Sequence, residues 1–139
     1  MKKVVLNEIL SGAKCKIYAY GTKSKCPVNN FFEKQKKERP EELAKLMALL
    51  TTTATQGTPT NIQKCRPLRD KIWEFKTPGG LRLLFFWDCG YLIIATHGFL
   101  KKKPKTPSKE INMASKLRNE YIDAKNQDSI EFKGSDSHD

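Results

Sequence analysis

The sequence predicts an α+β domain: a small antiparallel sheet that carries a helical hairpin and a C-terminal helix. Three observations lead there. Residues 71–96 hold three short apolar runs separated by turn residues, the pattern of an antiparallel meander. Residues 26–55 and 107–124 place their apolar residues at helical spacing instead. At 139 residues the chain suits one domain with one core, and residues 1–125 are assigned to it.

The first expected element is a strand over residues 14–20. Cys15, Ile17 and Ala19 alternate there with Lys16, Tyr18 and Tyr20, and Gly21 to Ser24 turn the chain. The hairpin follows over 26–55. Val28, Phe31 and Phe32 form an i, i+3, i+4 set, and Pro40-Glu41-Glu42 restarts a helix with proline and acid at its positive end. Leu43, Leu46, Met47 and Leu50 continue the apolar stripe. Thr51-Thr52-Thr53 weakens the helix end, and Gly57 and Pro59 stop it. The exposed faces mix both charges, so nothing marks a DNA-recognition helix.

Lys71–Lys76 alternates, Pro78-Gly79-Gly80 supplies a turn, Leu81–Trp87 is a buried strand, and Tyr91–Thr96 is the third strand. Trp73, Phe85, Phe86 and Trp87 belong mainly to the core. Thr106 then caps a helix that has Pro107 in its first position and Ile111, Ala114, Leu117 and Tyr121 along its apolar stripe. The strand at 14–20 joins an edge of the meander, and the helices lie against one face of the sheet. Residues 126–139 are polar and are expected to form a mobile tail.

Composition narrows the function. Twenty-six Lys and Arg face fifteen Asp and Glu, a formal charge of +11, which favours polyanionic partners or simply a soluble surface. No apolar run approaches the roughly 20 residues of a membrane span. The opening MKKVVLNEILSG is broken by Asn7 and Glu8 and makes a poor signal peptide, so a cytoplasmic protein with no membrane partner is expected. Cys15, Cys26, Cys65 and Cys89 show no C-x-x-C spacing, and only His97 and His138 supply imidazole, so no metal and no cofactor is expected. No Ser-His-Asp order, phosphate-binding glycine loop or pair of catalytic carboxylates stands out.

What remains is a basic patch. Arg82 is the one charge in an apolar strand. It either projects from the open sheet face or pairs with Glu74 or Asp70. If it projects, Arg69, Lys71, Lys76, His97, Lys101 and Lys102 converge on it, with Lys105 close by. Lysine and arginine neutralise phosphates, and Trp73, Phe99 or Tyr91 offer rings for unpaired bases. RNA is cleaved by its own 2′-OH once a base, an acid and positive charge surround the phosphate. His97 is the side chain of this set that ordinarily titrates near neutrality, and it reads equally well as a structural histidine at a strand end.

Two segments carry a family resemblance. Leu68 to Lys76 followed by Gly80 to Phe86 resembles the middle strands of RelE/HigB-type toxins of type II toxin–antitoxin systems. His97-Gly98-Phe99-Leu100 with its lysines, then Lys105-Thr106-Pro107 and Glu110-Ile111, is similar to the phage-type HigB-like branch. The likeness covers residues 14–122 and is specific from 68 to 121. It implies a RelE-like toxin fold and a metal-independent endoribonuclease, an mRNA interferase acting on translating ribosomes. It implies mRNA, the ribosome and a helix-turn-helix antitoxin as partners.

Residue by residue, the resemblance puts Arg82 at the scissile phosphate, Lys76 near a base or charge stabiliser, and Lys101 or Lys102 near a basic residue after the last strand. Glu74 departs from it, standing where RelE offers a lysine. The family's C-terminal tyrosine has no match either, since Tyr121 lies too far along the helix. The resemblance offers Lys76 for proton transfer, and the residues themselves offer His97 as the substitute. Arg69, Lys71, Lys101, Lys102 and Lys105 are the expected RNA-binding residues. A gyrase inhibitor like the ParE relatives, and a non-catalytic RNA- or ribosome-binding protein, are the alternatives.

Overall fold

The computed structural model describes residues 3–101 and 105–134. Its centre is a seven-stranded sheet in the order β3-β4-β5-β6-β2-β1-β7. The strands are β1 (Val4–Ser11), β2 (Lys16–Gly21), β3 (Cys65–Pro67), β4 (Trp73–Lys76), β5 (Leu81–Asp88), β6 (Leu92–Leu100) and β7 (Ile130–Lys133). The helices are α1 (Pro27–Glu38), α2 (Pro40–Gln56) and α3 (Ser108–Asn126). Among the described residues no helix is long and apolar enough to cross a membrane.

This corrects the expected small antiparallel sheet of RelE-like type. The meander β4-β5-β6 is antiparallel as expected, and β3 extends it. However, β2 joins β6 in parallel and β7 joins β1 in parallel, so the sheet is mixed and wide. Three strands are additions. β1 was hidden because Asn7 and Glu8 interrupt its apolar run, yet Val4, Val5 and Leu6 are buried. β3 has only three residues and contains Pro67. β7 lies in the segment expected to be a mobile tail. Its Ile130–Lys133 backbone pairs with Val4–Asn7, and Phe132 sets its ring edge-on to Tyr18, centroids 5.3 Å apart.

Helices also cover both faces rather than one. Phe31, Leu46, Leu50 and Ala54 of α1 and α2 pack on Ile17, Phe75, Leu83, Phe85 and Ile93. Ile111, Ala114, Tyr121 and Ala124 of α3 pack on the opposite face, against Leu6, Leu84, Phe86 and Ile94. The strict alternation of β5 divides its side chains between these two cores.

The hairpin forms as its sequence predicts, with Pro27 and Pro40 each opening a helix and Glu41 and Glu42 in the first turn of α2. The threonine run does not end α2. Thr51, Thr53 and Thr55 donate their hydroxyls to the carbonyls of Met47, Leu49 and Thr51 at 2.9, 2.8 and 3.1 Å, and the helix continues to Gly57 at φ 95°.

One irregularity matters for the site. Leu84 pairs with His97, whereas Phe85 pairs with Ala95, so Thr96 is the extra residue of a bulge. The buried Thr96 hydroxyl donates to Leu84 O at 3.3 Å. The bulge reverses the alternation of β6. His97 and Phe99 turn toward the α3 face, while Gly98 faces α1 so closely that a Cβ there would lie 2.4 Å from the Phe31 ring.

Candidate functional site

The open end of the α3 face holds most of the chemistry. The β4–β5 turn brings Lys76 opposite Arg82 in direct cross-strand register. The Lys76 N–H donates to Lys64 O at 2.8 Å, which ties the loop before β3 to the strand. The Lys101 N–H donates to Gly80 O at 2.7 Å and brings the end of β6 to the same turn. The result is a cleft of about 350 Å³ lined by Lys64, Lys76, Arg82 and Lys101, with Asn61 and Gln63 on its rim.

Under this cleft lies a buried charge cluster. Glu74 is fully buried and accepts from Arg66 Nε at 2.6 Å through Oε2. Its Oε1 accepts from the Thr106 hydroxyl at 2.6 Å and from Arg82 Nη1 at 3.3 Å. Arg82 Nη1 also donates to Thr106 Oγ1 at 3.2 Å. Of the two fates the sequence allows Arg82, the structure shows the pairing with Glu74. Arg82 is only 4% exposed and meets the cleft from below. Thr106 is correspondingly not a helix cap, since α3 begins at Ser108 with Pro107 preceding it.

Lys76 is half-buried, and its amine is held below the ordinary lysine value. Burial is the largest cause, followed by the positive charges of Arg66 and Arg82, while Glu74 pulls the other way.

His97 is placed elsewhere. Its Nδ1 lies 3.1 Å from Thr96 Oγ1 and its Nε2 3.0 Å from Glu110 Oε1 on α3. Burial lowers its pKa more than Glu110 raises it. The imidazole stacks on Phe99, centroids 6.0 Å apart, and is not among the residues that line the cleft. Of the three rings considered for base stacking, Phe99 is the one beside the cleft, as the cross-strand partner of Arg82. Trp73 packs with the α1–α2 core, and Tyr91 sits at the far turn.

Arg69 and Lys71 lie in the turn that precedes β4, beyond the opposite end of that strand from Lys76. Arg69 donates to Asp70 at 2.6 Å and to Asn112 Oδ1 at 2.9 Å, and Lys71 is exposed in a turn at φ 66°. Lys105 is exposed just ahead of Thr106, and Lys102 lies outside the described residues. The expected patch therefore divides. Lys76, Arg82 and Lys101 come together, and Arg69, Lys71 and His97 do not join them.

Tyr121 is buried against Phe86 and donates to Asp88, which also binds Lys125 at 2.9 Å. Asp88 is six residues along β5 from Arg82, about 20 Å, so Tyr121 sits at the opposite end of that strand from the cleft. Lys64 and Arg66 escaped sequence reasoning because their place depends on β3, whose three residues carry no periodic signal. Among the described residues no group of His, Cys, Asp or Glu gathers as a metal site.

A family model described as "Phage derived protein Gp49-like (DUF891)" matches residues 31–119. This span runs from α1 into α3 and includes the whole lining of the cleft. No curated protein matches the chain.

Proposed function

The chain belongs to the Gp49-like family, a toxin–antitoxin toxin family related to RelE/HigB, and from that premise we propose that it is an endoribonuclease that cuts mRNA on translating ribosomes. A toxin of such a system has an antitoxin partner. The observation that carries the reading is the pairing of Lys76 and Arg82 in one basic cleft, with the Lys76 amine held below its usual value.

In this reading an RNA phosphate enters over Arg82, and Lys64 and Lys101 neutralise its neighbours along the backbone. Neutral Lys76 removes the proton from the 2′-OH. The 2′ oxygen attacks the adjacent phosphorus and the P–O5′ bond breaks; the leaving 5′ oxygen takes a proton from water, and the products are a 2′,3′-cyclic phosphate and a 5′-OH. Arg82 offers fixed positive charge to the oxygens that gain it in the transition state. A lysine with lowered pKa suits this work because a larger share of it is neutral near pH 7. Proton transfer falls to Lys76 rather than His97, whose two nitrogens are already engaged by Thr96 and Glu110.

The burial of Arg82 beneath Thr106 favours a second reading, an RNA- or ribosome-binding protein without catalysis. Primer extension on a defined mRNA in a reconstituted translation system separates the two. New 5′ ends with ribosomes present support the nuclease, and ends without ribosomes keep the nuclease but move recognition onto the cleft. Uncut mRNA in both reactions, together with salt-sensitive RNA binding and no growth arrest on expression, favours the binding reading.

A further inference from the structure

Two arginines and a threonine beneath the cleft converge on one carboxylate. Glu74 is fully buried between β3 and β5, yet its two oxygens take three donors: Arg66, Thr106 and Arg82. These come from β3, the segment before α3, and β5, so one side chain ties together three separate parts of the chain. Thr106 serves as both acceptor and donor. It receives from Arg82 and passes its own hydrogen to Glu74 Oε1, while Arg66 donates to Oε2, so both oxygens of Glu74 accept. A buried acid at this place has a cost unless its partners are fixed, and fixing them orients the guanidinium that meets the cleft.

We propose that Glu74 is a positioning residue of this cleft, holding Arg66 and Arg82 beside Lys76 and offsetting part of their charge there. The inference rests on the cleft being the reaction site, although its test reads the side chains directly. Lys76 is faced by Arg66 of β3, Arg82 of β5, Glu74 of its own strand, Lys64 ahead of β3, Lys101 after β6 and Lys45 of α2. Removing the negative charge at 74 leaves Lys76 among cations alone. Removing the positive charge at 66 relieves it. A residue that only supports the fold does not produce opposite effects from these two changes.

The experiment is an NMR titration of the lysine side-chain CH2–NH3 signals in the full chain, with Lys76 assigned by Lys76→Arg. In the wild type, Lys76 titrates at lower pH than the exposed lysines. In Glu74→Gln its midpoint moves to still lower pH, and in Arg66→Gln it moves up toward the ordinary lysine value. Midpoints that stay put, or that both move the same way, overturn the proposal. Should Gln at 74 prevent folding, Glu74→Asp, which keeps the charge and shortens its reach to Arg66 and Arg82, carries the test: a Lys76 midpoint below the wild-type one supports the proposal and an unmoved one ends it. Opposed shifts in a protein that leaves RNA uncut keep the positioning role and remove the nuclease reading, so the two fail separately.

Discussion

The Thr106 hydroxyl donates to Glu74 Oε1 at 2.6 Å, so the segment ahead of α3 is fastened to the underside of the cleft by a buried hydrogen bond. Thr106→Val keeps the shape and removes the hydroxyl from both Glu74 and Arg82. The expected cost is about 1–2 kcal/mol of stability, the usual range for a buried hydrogen-bonding group that loses its partner. Urea unfolding checks this through a lower midpoint at unchanged slope. Full stability in the valine variant contradicts the fastening.

Lys76→Arg keeps a positive charge in the cleft and removes the amine whose value is lowered. RNA binding is expected to persist, cleavage to fall at least about 100-fold, within the usual reach of general acid–base catalysis, and thermal stability to change little. Single-turnover cleavage beside salt-dependent binding separates the two functions of the side chain. Retained cleavage removes Lys76 from the proton-transfer role.

His97 gives a pH-dependent stability with a definite sign. Burial holds its folded value below the ordinary one, so the unfolded chain takes up protons first as pH falls. Its contribution is therefore complete above about pH 6.5 and is lost as pH drops from there through the lowered folded value. His97→Gln is expected to flatten the stability–pH curve over that window, measured by denaturation at several pH values. An unchanged slope contradicts the assignment.

Gly98 is the closest approach of β6 to α1. Gly98→Ala places a methyl carbon into the Phe31 ring and is expected to destabilise by roughly 1–3 kcal/mol, the range for overpacking. Phe31→Leu opens that space, so the double variant should lose less than the sum of the two single changes. Strict additivity contradicts the contact.

The parts of this architecture that depend on local pattern were readable from the chain. The apolar spacing of Val28, Phe31, Leu46 and Leu50 finds both hairpin helices, and the runs around Pro78-Gly80 and Asp88-Gly90 find the antiparallel meander. The parts that depend on distant pairing were not. Nothing local says that Lys16–Ala19 lies parallel to Leu92–Ala95, or that Ile130–Lys133 returns to Val4–Asn7. The bulge at Thr96 also leaves no periodic trace, yet it decides which face His97 occupies. For the site, the cross-strand meeting of Lys76 and Arg82 follows from the Pro78-Gly80 turn. Arg66 required β3, and the link from Thr106 to Glu74 required the path of the chain between β6 and α3.

The proposed function stands on RNA being cut at the Lys76–Arg82 cleft. The most direct measurement is end analysis of a defined mRNA in a reconstituted translation system, with wild type and Lys76→Arg side by side. New fragments with 2′,3′-cyclic phosphate and 5′-OH ends are expected from the wild type, and none above background from the variant. Equal cutting by both proteins, or mRNA left intact by the wild type, contradicts it.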